Sequence, residues 1–116
     1  MAYPDDVALP QITADDAIAR VSNGAILIDV REQDEWDAGH APQARLIPMS
    51  GLQERLAEVP ADQKVLIVCH SGARSVRATD YLLREGYDAV NVIGGMVAWN
   101  AAGGEIESEN PGTPRV

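Results

Sequence analysis

The sequence holds a single cysteine, Cys69, so no internal disulfide can form. That excludes a small disulfide-stapled scaffold and fits a reducing compartment. Basic residues are scarce: nine Lys and Arg stand against eighteen Asp and Glu, a formal charge of -9. Such a balance opposes binding to nucleic acid or anionic lipid, both of which need basic surface. No apolar run approaches membrane-spanning length. The opening MAYPDDVALPQ has neither a basic region nor an apolar stretch, and the expectation is a cytoplasmic protein without a signal peptide. Internal repeats, low-complexity segments, a phosphate-binding P-loop and a dinucleotide fingerprint are all missing. The two histidines and the cysteine lie too far apart to show metal-ligand spacing, so no metal is expected and no cofactor is called for.

What is present suits one packed domain. The chain has 116 residues, 46% of them hydrophobic, which is enough for a core without metal or disulfide support. Residues 1-116 are expected to form one domain with loose ends at about 1-8 and 107-116, the latter carrying two prolines, a glycine and few apolar residues. Between the ends, short apolar runs alternate with helical patterns. Thr13 to Asp16 has capping-box spacing, and Ala14, Ala17, Ile18 and Val21 share a helical face. Ala25 to Ile28 is a continuous apolar run, as expected of a strand buried on both faces of a parallel sheet. Gln33 to Ala38 predicts a short helix closed by Gly39. Leu46 to Pro48 predicts a short strand or link. Ser50 and Gln53 suggest a second capping box opening a helix with Leu52, Leu56 and Val59 inward, stopped by Pro60. Val65 to Val68 predicts a central strand, followed by a helix with Val76, Thr79, Leu82 and Leu83 inward. Ala89 to Ile93 predicts a further strand, Gly94-Gly95 a turn, and Met96 to Ala101 a last helix. The fold class is therefore α/β, with a parallel sheet of about four or five strands and helices on both faces.

In such sheets ligands bind beyond the carboxyl ends of the strands, where Cys69 falls. The chain must turn at once from the strand into a helix, and Gly72 permits backbone conformations closed to other residues. Small side chains at Ser71 and Ala73 leave the loop's amides unobstructed, so that a tight loop before a helix start forms an anion-binding nest. From Gln63 to Thr79 there is no acid, whereas Lys64, Arg74 and Arg77 are present. A sulfur at the centre of this loop is favoured as thiolate, the nucleophilic form. A free cysteine is often just a small buried hydrophobe. A core cysteine, however, has no need of a Ser-Gly-Ala loop and a basic helix start. His70 either contacts an anionic ligand or points to solvent, and His40 is expected to hydrogen-bond within the link before the next strand.

Cys69-His-Ser-Gly-Ala-Arg-Ser75, directly after Lys64-Val-Leu-Ile-Val68, resembles the active-site loop of single-domain rhodaneses. Ile28-Asp29-Val30-Arg31, Glu35-Trp36 through Gly39-His40-Ala41-Pro42, and Gly94-Gly95-Met96 with Trp99 resemble other segments of that family, in the same order. The resemblance covers about residues 11 to 106. Ala41 stands where the family signature usually has isoleucine, and Gln43 where it has glycine. The resemblance implies a thiosulfate sulfurtransferase. In that reading Cys69 is catalytic and carries sulfur as a persulfide, while His70, Ser71, Gly72, Ala73, Arg74 and Ser75 bind substrate. Ser71 bonds to sulfur in this reading. Arg74 either neutralises the donor or pairs with Asp29 or Glu35 to brace the loop. Asp29 and Arg31 are supports held behind the site. The implied partners are a small-molecule sulfur donor, a thiol or cyanide acceptor, and a protein that accepts the persulfide.

Three other readings stand beside this one, the first being a sulfur carrier that hands its persulfide to one partner protein. Phosphatases of related fold also use a Cys loop ending in Arg, with five residues between. Here residues 70 to 73 make four, a narrower nest suited to one sulfur atom. A non-catalytic interaction module would be expected to lack the cysteine.

Overall fold

The structure, a computed structural model, describes residues 9-116. Strand β1 (Gln11–Ile12) leads into helix α1 (Ala14–Ser22), then β2 (Ile26–Asp29), α2 (Gln33–Ala38) and β3 (Arg45–Leu46). Two 3-10 turns, Met49–Gly51 and Leu56–Glu58, precede β4 (Val65–Val68), α3 (Ala73–Arg84), β5 (Ala89–Val92) and α4 (Gly95–Ala101). The five strands form one parallel sheet in the order β1-β5-β4-β2-β3.

Alternation along each strand divides the core between the two faces. Ile28, Val65, Ile67 and Cys69 pack with Ala78 and Leu82 of α3 on one side. Leu27, Leu66, Val68 and Val92 pack with Ala17 and Val21 of α1 and with Met96 and Trp99 of α4 on the other. Strands covered on both faces explain why β2 and β4 read as continuous apolar runs. Ala41, a departure from the family signature, is fully buried in the second cluster.

The order of strands fixes the position of the site. From β2 the chain moves outward to β3, whereas from β4 it moves in the opposite direction to β5. The crevice between the carboxyl ends of β2 and β4 is thus the switch point of the sheet. Asp29 and Val68 are paired in register there, so residues following each strand meet across it.

Several local expectations hold: the Thr13 hydroxyl caps α1 by accepting the Asp16 N–H, and α2 ends at Gly39. Three differ. The expected helix after Ser50 is only a pair of 3-10 turns, because the Ser50 hydroxyl donates to Glu32 Oε1 at 2.8 Å and caps nothing in its own segment. On α3 the buried residues are Ser75, Ala78, Thr79 and Leu82, while Val76 is turned outward. Residues 107-116 are tied down, with His40 and Glu107 exchanging backbone hydrogen bonds of 2.8 Å and the Arg115 N–H donating to Ala38 O at 2.8 Å. Residues 1-8, the other end expected to be loose, lie outside the described residues.

Leu82 is fully buried between α3 and the sheet. Leu82→Ala should cost about 2–5 kcal/mol of folding stability through lost transfer energy and a residual cavity. Urea unfolding should show a lower midpoint with an unchanged slope.

Candidate active site

Cys69 leaves β4 with its side chain on the α3 face, where it is 1% exposed. The chain then makes the tight loop that opens α3. The Gly72 N–H donates to Cys69 Sγ at 3.1 Å, from a backbone with φ of +121°. The Cys69 thiol donates to Ser75 Oγ at 3.3 Å, and the Ser75 hydroxyl donates to Gly72 O at 3.2 Å. The loop therefore closes around the sulfur from both ends. The hydroxyl that reaches it belongs to Ser75, whereas Ser71 is exposed.

The orientation of the loop's peptide groups comes from α4. Met96 N–H donates to Cys69 O at 2.7 Å, and Val97 N–H donates to His70 O at 3.0 Å. These are first-turn amides of a helix, which have no partner within it. With both carbonyls drawn away, the following N–H groups are free to serve the loop. Among the described residues, the N–H groups of His70, Ser71, Ala73, Arg74 and Ser75 donate to no protein acceptor. This approach depends on Gly95, where a Cβ would overlap both carbonyl oxygens and where φ is +58°. Read from the sequence, Gly94-Gly95 is only a turn. Its contact with a loop about 25 residues away has no local signal.

Charge around the loop is set by ion pairing. Arg74 forms a two-pronged pair with Glu35, at 2.6 and 2.8 Å, and so takes the bracing role. Glu35 Oε1 also accepts the Glu32 N–H at 3.1 Å, which joins the start of α2 to the start of α3. These bonds, that to Arg74 first, hold the Glu35 carboxyl down from its ordinary 4.5 to about 2. The Arg74 guanidinium is shifted upward by the same contact. Arg77 lies on the exposed face of α3.

Asp29 and Arg31 are completely enclosed. Asp29 accepts the Arg31 backbone N–H at 3.0 Å and its guanidinium at 2.8 to 3.1 Å. Arg31 in turn donates to Gly39 O at 2.7 Å and Glu35 O at 3.4 Å. The carboxylate thus supports α2 through Arg31 and, among the described residues, accepts no hydrogen bond from the Cys69 loop. Beside these residues lies a cleft of about 360 Å³ lined by Arg31, Glu35, Ala38, His70, Arg115 and Val116. His70 is exposed and forms part of its wall. His40 is buried, stacked on Trp36 at 3.7 Å between ring centroids, and its Nδ1 lies 2.8 Å from Trp36 O.

Gly95→Ala should lower folding stability by about 1–3 kcal/mol, since the new Cβ meets strained backbone and two carbonyl groups. Gly103→Ala, at an exposed turn with open space around it, serves as the control for φ alone in the same unfolding measurement. The Glu35 carboxyl is depressed in the fold, so its contribution is present above about pH 4.5 and is lost as pH falls toward 2. Urea unfolding of the native protein and Glu35→Gln should differ at pH 7, the difference shrinking below about pH 4.5 and closing only as pH reaches about 2.

Comparison with known proteins agrees with this arrangement. The family model for the rhodanese-like domain matches residues 13–102. A protein of Allochromatium vinosum named sulfurtransferase is 38% identical over 96 residues, covering 82% of this chain and 84% of that one. The rhodanese-like domain protein of Staphylococcus aureus superposes with a TM-score of 0.78 at 37% identity, covering 86% of this chain and 100% of that one. A thiosulfate sulfurtransferase of Pseudomonas aeruginosa gives a TM-score of 0.78 at 26% identity, covering 88% of this chain but only 21% of that longer one. With its sheet order, its cysteine loop and these relatives in agreement, the chain belongs to the rhodanese-like domain family, and its named relatives support a sulfurtransferase.

Proposed function

We propose that the protein moves a sulfane sulfur from thiosulfate or a related donor to a thiophilic acceptor, carrying it as a persulfide on Cys69. The observation that carries this reading is the buried Cys69 sulfur, met by the Gly72 amide and enclosed by a loop whose other amides have no protein acceptor among the described residues. Such amides stabilise anionic sulfur in a dry site without any reorganisation during the reaction.

In the first step the Cys69 thiolate attacks the outer sulfur of thiosulfate. A sulfur–sulfur bond forms, the original one breaks, and its electron pair leaves with sulfite. In the second step cyanide or a cellular thiol attacks the outer sulfur of the persulfide, and the electron pair returns to Cys69 as thiolate. The N–H groups of residues 70 to 75 hold the added sulfur. Once Cys69 is deprotonated, the Ser75 hydroxyl, now 3.3 Å away, is free to turn its hydrogen from Gly72 O to the sulfur. His70 and Arg115 give the cleft polar and positive groups for an anionic donor, while Arg74 keeps the loop in place through Glu35.

The spacing of four residues between Cys69 and Arg74 speaks for sulfur over a phosphoryl group. So does Arg74 itself, which is engaged by Glu35. The net charge of -9 over the whole chain suits a protein acceptor with a basic surface. The free thiol fits a reducing, cytoplasmic setting.

Thiocyanate formation from thiosulfate and cyanide tests the proposal. The native protein should turn over, and Cys69→Ala should fall to the uncatalysed background. Equal rates in the two proteins would sink the thiosulfate reading.

A further inference from the structure

His40 sits in a setting that its role as a link residue does not explain. Its Nδ1 faces the Trp36 carbonyl at 2.8 Å, and a carbonyl accepts only, so Nδ1 donates there and Nε2 is the edge turned the other way. What Nε2 meets is Glu107 Oε2 at 3.3 Å and Glu109 Oε2 at 3.5 Å. The imidazole, 3% exposed, is thus held with Nε2 between two carboxylates, a place for a shared proton or a cation.

The backbone builds this cluster. His40 and Glu107 pair across an antiparallel bridge, each N–H donating to the other's carbonyl at 2.8 Å. Glu109 follows two residues later, where the chain bends, and its N–H is fixed to Asp37 O at 2.9 Å. The ligand atoms lie within 4.8 Å of one another. Zinc–nitrogen and zinc–oxygen bonds of about 2.0–2.1 Å in a tetrahedron place ligand atoms about 3.3 Å apart, close to the two nitrogen–oxygen separations here. An imidazole held through its other nitrogen by a carbonyl is the usual support for a metal-bound histidine. One neutral imidazole and two carboxylates also balance a divalent charge. The carboxylates, 54% and 56% exposed, leave the remaining position open to water.

We propose that His40, Glu107 and Glu109 form a binding site for a divalent transition cation of the zinc type, which fastens the C-terminal segment to the link after α2. Imidazole with carboxylates favours such cations over magnesium or calcium, which prefer oxygen alone. Arg115 and Val116, further along the same segment, line the cleft beside His70, so the cation would secure one wall of that cleft.

Zinc titration by calorimetry tests this in the Cys69→Ala protein, where no thiol competes for metal and sulfur transfer is not involved. One zinc per chain is expected, with a rise in unfolding midpoint of at least about 5 °C when free zinc is a hundredfold above its dissociation constant. Adding Glu107→Gln and Glu109→Gln should weaken binding at least tenfold and abolish the rise. Both side chains are more than half exposed, so the fold should tolerate the change. Cobalt should give visible absorption bands of a tetrahedral complex in the parent and not in the double variant. Absence of zinc binding to Cys69→Ala, as when a proton alone fills the site, would overturn the proposal. So would a loss of less than tenfold in the double variant.

Discussion

The peptide groups of Cys69 and His70 have two ways to face, and the start of α4 decides between them. Met96 and Val97 offer unpaired helix amides to the two carbonyls, at 2.7 and 3.0 Å. An amide group cannot present its oxygen and its hydrogen to the same side. Committing the oxygens to α4 therefore determines where the neighbouring hydrogens are available. The loop's chemistry thus depends on a helix that contributes no side chain to it. What α4 supplies is position, and Trp99 and Met96, both buried against the sheet, hold it there.

A second constraint ties the ends of β2 and β4 together. Asp29 and Arg31 are a buried ion pair in which the guanidinium also donates to the carbonyls of Glu35 and Gly39. Such a pair contributes little net stability by itself, but removing one partner leaves an uncompensated charge in the core. Glu35, carried on α2, then reaches Arg74 at the start of α3. The chain of contacts runs from one strand end, through α2, to the helix that shapes the cysteine loop. The exposed half of this chain is worth less than the buried half, because solvent screens Glu35 and Arg74.

How far the sequence foretold this differs from residue to residue. The strand Val65–Val68 and the loop after it were legible, because a strand covered on both faces is apolar without interruption and its abrupt end at Cys69-His-Ser-Gly is a local signal. The segment after Ser50 misled, since Leu52, Leu56 and Val59 have helical spacing although Ser50 spends its hydroxyl on Glu32. The loose tail expected at 107-116 was judged on composition. Composition is silent about backbone hydrogen bonds, and these are what attach Glu107 to His40 and Arg115 to Ala38. Likewise His40 and Glu107 are 67 positions apart, so no spacing rule brings them together. Gly95 and Ser75 belong to the same class: their importance is a matter of what the fold places opposite them.

The docked tail has a practical bearing on how this protein is handled. Because Arg115 and Val116 line the cleft next to His70, any polypeptide joined after Val116 emerges at the rim of the cleft. A purification handle or fusion partner placed there would crowd the cleft beside His70, whereas the opposite end of the described chain begins at the sheet edge beside β5. The choice of fusion point is therefore also a choice about access to that cleft.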